Sequence, residues 1–177
     1  MEDSIMKNSI KLLSRVFLLI VLVITLGCDK KNTSADLKKK TDKYVEYWNT
    51  ANFQGIEDLL CDDFELIESP KFDAQKGIEN FKQTVLAYHT TYPDFHLTVN
   101  EIICDKDKIA GIWTITATNT GQGDRPPTGK HIIVKGIGII HFKDGKIKDE
   151  WIAGNDYYWL EQLGYTIVPP KTDSEKK

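Results

Sequence analysis

HIIVKGIGIIHFKDGKIKDEWIAGN, His131 to Asn155, is the stretch on which the fold turns. β-Branched residues dominate His131 to Phe142, Asp144-Gly145 is a hairpin turn signal, and Ile147 to Asn155 reads as the returning strand. Gly136 and Gly138 inside so long a strand favour sharp curvature or a bulge. Two more runs of period two stand before it. Phe95, Leu97 and Val99 alternate with His96, Thr98 and Asn100, and Ile109 to Thr118 alternates around Trp113. Cys61 to Glu68 also reads as a strand. Elsewhere upstream the period is helical. Leu37, Tyr44, Val45 and Trp48 mark a helix from about Ser34 to Ala51, and Ile56, Leu59 and Leu60 a short one within Phe53 to Leu60. Ile78, Phe81 and Val85 mark a third over Lys76 to Thr90, ended by Pro93. Helices first and a strand meander after them predict an α+β domain. Its strongly curved antiparallel sheet is partly closed by about three N-terminal helices, which leaves a pocket.

The N-terminus gives the expected location. Lys7, Lys11 and Arg15 lead into Val16 to Leu26, about a dozen apolar residues, right for a secretory h-region and too short for a bilayer of roughly 30 Å. Gly27 then precedes Cys28. The arrangement resembles a bacterial lipoprotein signal, in which Cys28 receives lipid, although Thr25 stands where such signals usually carry Leu. An ordinary signal peptide or an uncleaved anchor is the alternative. The expected division is a signal over residues 1–27, a tether over 28–40, the domain over 41–167 and a flexible tail over 168–177. The expected location is the bacterial cell envelope, with membrane attachment through lipid on Cys28.

The first 27 residues hold two acids against three bases, so the formal net charge of −3 becomes −4 beyond them. That mild acidity argues against a nucleic-acid partner. Cys61 and Cys104 show no zinc spacing, and an exported compartment would permit a disulfide between them, whereas their apolar neighbours suit free buried thiols. No histidine pair or HExxH motif suggests a metal.

Several short motifs occur in order: Gly77-Ile-Glu-Asn-Phe81, Tyr92-Pro-Asp-Phe95, Trp113-Thr-Ile-Thr-Ala-Thr118, Pro126-Pro-Thr-Gly-Lys130, Gly136-Ile137, Asp144-Gly-Lys-Ile147, Glu150-Trp151 and Leu160-Glu-Gln-Leu-Gly164. Together they resemble the SnoaL-like polyketide cyclases of the nuclear-transport-factor-two-like superfamily, from about Tyr44 to Gly164. The resemblance implies a cone-shaped, partly open barrel and cofactor-free chemistry. In that chemistry an aspartate acts as general acid/base at an activated carbon, helped by a histidine or another polar group. The family aspartate falls on Asn155, counted from Trp151 or back from Gly164. Asparagine does not take up a proton at neutral pH, though it donates and accepts hydrogen bonds. On an ideal strand Trp151, Ala153 and Asn155 share one face, while Glu150, Ile152 and Asp156 share the other. Asp156 substitutes only if a bulge or the strand end swings it inward.

Among the other candidates, His141 either orients a ligand or sits at the surface near the turn, since Gly136 and Gly138 can shift the face. His89 lies at the apolar edge of the third helix, as a core histidine or a ligand contact. Trp48, Trp113 and Trp151 occupy apolar faces that serve as core and pocket wall together, and Tyr44 can reach the pocket mouth. Three readings follow. One is an envelope lipoprotein whose pocket binds a small, largely apolar or polycyclic molecule. Another is a cofactor-independent cyclase or isomerase using Asp156 and His141. The last is a module that forms a homodimer through the open sheet face.

Overall fold

The computed structural model describes residues 33–68, 74–123 and 126–168. The expected signal sequence, Cys28 and nearly all of the expected tail fall outside them. Helix α1, Ser34–Thr50, starts with a capping box in which Thr33 and Asp36 each accept the other's backbone N–H. It is followed by α2 (Ile56–Leu59), β1 (Leu60–Glu68), β2 (Ala74–Lys76), α3 (Ile78–Thr91), β3 (His96–Asp105), β4 (Lys108–Thr118), β5 (His131–Lys143), β6 (Lys146–Gly154) and α4 (Asp156–Leu163). The strands form one curved, unclosed six-stranded sheet of order β2-β1-β6-β5-β4-β3. This is the expected α+β architecture with two differences. β1 pairs with β6 in parallel, so the sheet is mixed. A fourth helix, α4, follows the last strand, where the sequence reading extended the strand to Asn155.

Alternation along β5 is unbroken by its glycines. The β4–β5 pairing runs without a shift from Lys108↔His141 to Thr118↔His131. Ile132, Val134, Ile140 and Phe142 are buried under the helices, and His131, Ile133, Ile137 and Ile139 face outward. The concave face packs on an aromatic cluster from α1, α3 and β1, in which Tyr44 stacks on Phe81 at 5.2 Å and Trp48 meets Phe81 edge-on at 5.3 Å. Asn49 ties α1 to β3 by donating to the Leu97 carbonyl and accepting from the Leu97 N–H. Cys61 and Cys104 are free; β1 and β3 have three strands between them.

Gly136 has a steric role. A Cβ there would overlap the benzo edge of the Trp113 indole, and one at Gly154 would stand 3.2 Å from the same edge. The two paired glycines therefore seat a large ring against bare backbone. Gly136→Ala is expected to lower stability by about 1–3 kcal/mol, as overpacking of a rigid contact does. Urea unfolding measures it, and an unchanged midpoint would mean that the indole lies elsewhere.

Candidate functional site

The aromatic cluster fills much of the cone, and the open space left lies at one end, between α3 and α4. It is a cavity of about 530 Å³, within the range of small-molecule sites. Helical spacing on α3 presents Thr84, Ala87, Tyr88 and Thr91 to it. α4 presents Asp156, Trp159, Leu160 and Leu163 from the opposite side. Glu68 at the end of β1, Gln75, Tyr92 and Asn119 complete the lining. Trp159 Nε1 donates to the Tyr92 hydroxyl at 3.0 Å, and its ring packs on Tyr88 and Tyr92 at 6.0 and 5.7 Å. Buried Asn119 accepts from the N–H and hydroxyl of Thr128, which pins the loop at the rim.

Helix α4 decides which residue enters the cavity. Asn155 is its N-cap: its side chain accepts from the Tyr158 N–H at 3.0 Å, and Gly164 closes the helix in the left-handed region, φ 93°. Asn155 is exposed and engaged with backbone. The turn into the helix brings Asp156 to the cavity. A Cβ on Gly154 would lie 3.9 Å from Asp156 Oδ1, so this carboxyl hangs beside the glycine that ends β6. Asp156 lines the cavity and remains exposed to solvent.

Deeper in the cone lies a group that the sequence reading passed over. Glu150 is buried on β6, and Tyr44 of α1 donates to its Oε2 at 2.7 Å. Burial pushes its pKa up from 4.5 to about 7; the Tyr44 hydrogen bond works against that rise, and the charge of Glu68 adds to it. Glu150 Oε1 borders a hollow of about 30 Å³ over the paired Gly111 and Gly138, room for about one water. In the sequence Glu150 stands between Asp149 and Trp151 and reads as a solvent-facing acid. Only its pairing with Leu66 and its place opposite Tyr44 reveal the burial.

The other candidates do not gather at the cavity. The faces of β6 are the reverse of those expected. Glu150 is buried inside, whereas Trp151 lies on the outer face beside Ile139 and is 41% exposed. His141 is on that outer face too, its Nδ1 at 2.6 Å from Asp149 Oδ1, and it does not line the cavity with Asp156. His89 Nε2 lies 2.8 Å from the Trp48 carbonyl, a satisfied histidine behind the wall. Trp48 and Tyr44 belong to the packed core, and Trp113 lines the small hollow instead of the large cavity. Among the described residues no group of three His, Cys, Asp or Glu side chains is placed to hold a metal ion.

A helix-covered concave sheet with a cavity at its helix-capped end is the architecture of the cone-shaped small-molecule proteins. A sequence profile of the SnoaL-like polyketide cyclases matches residues 39–163, and the chain belongs to that family. Solved structures share the fold. TsrD from Streptomyces laurentii superposes with a TM-score of 0.67 at 20% identity, over 75% of this chain and 97% of TsrD. A protein from Jannaschia sp. CCS1, described as a SnoaL-like polyketide cyclase, gives 0.68 at 15% identity, over 81% and 100%. AclR from Streptomyces galilaeus, described as a hydroxylase, gives 0.65 at 24% identity, over 82% and 95%. Comparison with functionally curated proteins gives no match.

Glu150 makes stability depend on pH. The unfolded side chain ionises near 4.5 and the folded one near 7, so between those values the folded state holds more protons. Stability is expected to fall by about 3 kcal/mol as pH rises from 4.5 to 7 and to level off above that. Glu150→Gln should flatten this slope in urea titrations across the range, and a slope left intact would place the titrating group elsewhere.

Proposed function

We propose that this chain is a cell-envelope lipoprotein, held to a membrane by lipid on Cys28, whose cavity binds a small, largely apolar molecule. The cavity between α3 and α4 carries the reading: about 530 Å³, with Tyr88, Tyr92, Trp159, Leu160 and Leu163 as an apolar wall and the side chains of Gln75, Thr84, Thr91 and Asn119 to orient a ligand. Membership of a family that acts on small organic molecules supports it. The lipoprotein part rests on the basic lead, the short apolar run and Gly27-Cys28. Organic extraction of the pure full-length protein should release a small molecule detectable by mass spectrometry. Ala87→Trp, which plugs the cavity, should release none. Equal yields from both proteins would remove the cavity as the site.

The position of Asp156 favours a second reading, a cofactor-independent cyclase or isomerase. Its carboxylate would take a proton from a carbon beside a carbonyl, and the C–H electron pair would pass to the carbonyl oxygen as an enolate. The enolate carbon would then attack a second carbonyl in the same molecule and close the ring. Asp156 would return its proton to the new alkoxide. The Tyr88 phenol, whose pKa is raised well above 10 chiefly by burial, stays protonated and can donate to the enolate oxygen. On this reading Asp156→Asn lowers the turnover of any substrate found by at least about 100-fold. Full activity in that variant would eliminate Asp156 as the base.

A homodimer is the third element of the proposal. On the outer face one register row runs Ile103, Ala110, Ile139, Trp151 across four strands, beside Ile112, Ile137 and Ala153. Such an apolar stripe suits a second copy of the same surface. Sedimentation should show a dimer that Ile137→Lys converts to a monomer; a monomeric parent protein would end this element.

A further inference from the structure

A second, smaller site lies away from the large cavity and shares no lining residue with it. Glycines shape it. Gly136 and Gly154 bring bare backbone to the benzo edge of Trp113, which leaves the indole Nε1 over Gly138. The place that a Cβ would take on Gly138 is 3.6 Å from that nitrogen and 3.3 Å from Glu150 Oε1. Both side chains are buried, with Trp113 9% and Glu150 8% exposed. Glu150 accepts from Tyr44 through its other oxygen, Oε2. Among the described residues neither Trp113 Nε1 nor Glu150 Oε1 has a hydrogen-bond partner. Two polar atoms thus converge on the hollow of about 30 Å³ over Gly138 and Gly111. Thr41, the third polar residue of its lining, has its hydroxyl proton on the Leu37 carbonyl. The rest of the wall is aliphatic or glycine. A buried indole N–H and a buried carboxyl oxygen are destabilising without partners, so the convergence calls for an occupant. Its chemistry is narrow. The indole N–H needs a lone pair, and the ionised carboxylate needs a proton. An apolar group supplies neither, an ammonium ion has no lone pair, and a halide has no proton. Water supplies both, and it matches the volume.

We infer that the hollow is a binding site for one water molecule, held between Trp113 Nε1 and Glu150 Oε1 over the bare backbone of Gly138. The water hydrates the carboxyl inside the cone, and the missing side chain at 138 is what makes room for it. The site is independent of the large cavity and of any ligand there. It is tested by NMR on the full-length protein in a non-ionic detergent, with isotope-labelled tryptophan and Trp113→Phe to assign the Trp113 indole signal. Spectra are taken above the Glu150 pKa of about 7, where the carboxylate has no proton of its own to relay the signal. The Trp113 indole proton is expected to show a dipolar, non-exchange cross-peak to water, and Gly138→Ala should abolish it. Absence of the cross-peak in the parent protein, or its survival in Gly138→Ala, would overturn the inference. Urea unfolding gives a second reading, because a serine at 138 can set its own hydroxyl where the water stands. Gly138→Ser should fold with an equilibrium constant at least about five-fold above that of Gly138→Ala. In an apolar hollow the order is reversed, since the smaller alanine fits without burying a hydroxyl, and that order would also overturn the inference. If neither variant folds, the cross-peak of the parent protein decides alone.

Discussion

A buried hydrogen bond from Tyr44 to Glu150 joins the helical layer to the concave face of the sheet. A carboxyl group enclosed among apolar side chains is costly to ionise, and burial pushes the pKa of this one up to about 7. Its burial depends on α1 lying where Tyr44 can reach β6. The same helix carries Trp48 and Tyr47 into the core and Asn49 to the β3 backbone. The position of α1 is thus held by the Tyr44–Glu150 bond deep in the cone, by Asn49 on β3, by Lys40 on the Gly145 carbonyl and by His89 on the Trp48 carbonyl, with packed rings between them. That arrangement packs the interior around Tyr44 with rings, and the larger cavity lies toward α3 and α4.

The helix that forms the far wall also resolves the chemistry of the 155–156 step. Asparagine and aspartate are both good N-caps, and a residue committed to the Tyr158 N–H serves the backbone first. The next residue enters the helix and rotates toward the opening. The only charge that α4 brings to the cavity is therefore the carboxyl of Asp156, and it arrives from the first turn of a helix instead of from the last residue of a strand.

Much of the scaffold was legible because it is written in local periods. The β4 and β5 alternations, the Asp144-Gly145 turn and the faces of α1 and α3 all appear where the spacing puts them. The errors have physical causes. Glycine has no side chain to mark a side, so the direction of His141 could not be read across Gly136 and Gly138. Trp113 and Trp151 look alike in sequence, yet one lies on backbone glycines in the core and the other on an apolar outer surface that imitates a core face. The β1–β6 pairing spans more than 80 residues, and no local signal encodes it. Asn155, Asp156 and Gly164 did carry a start-and-stop signature for α4, hidden by the strand run leading into it.

β6 lies between β1 and β5, although it is the last strand to be made. A ribosome delivers β1 through β5 before the element that unites them exists. β3, β4 and β5 can zip as a meander on arrival, while β1 must wait with its parallel edge uncovered until Gly154 has emerged. Assembly of the cone is thereby deferred to the end of delivery, and the helix that walls the cavity is added only after the sheet has closed its ranks.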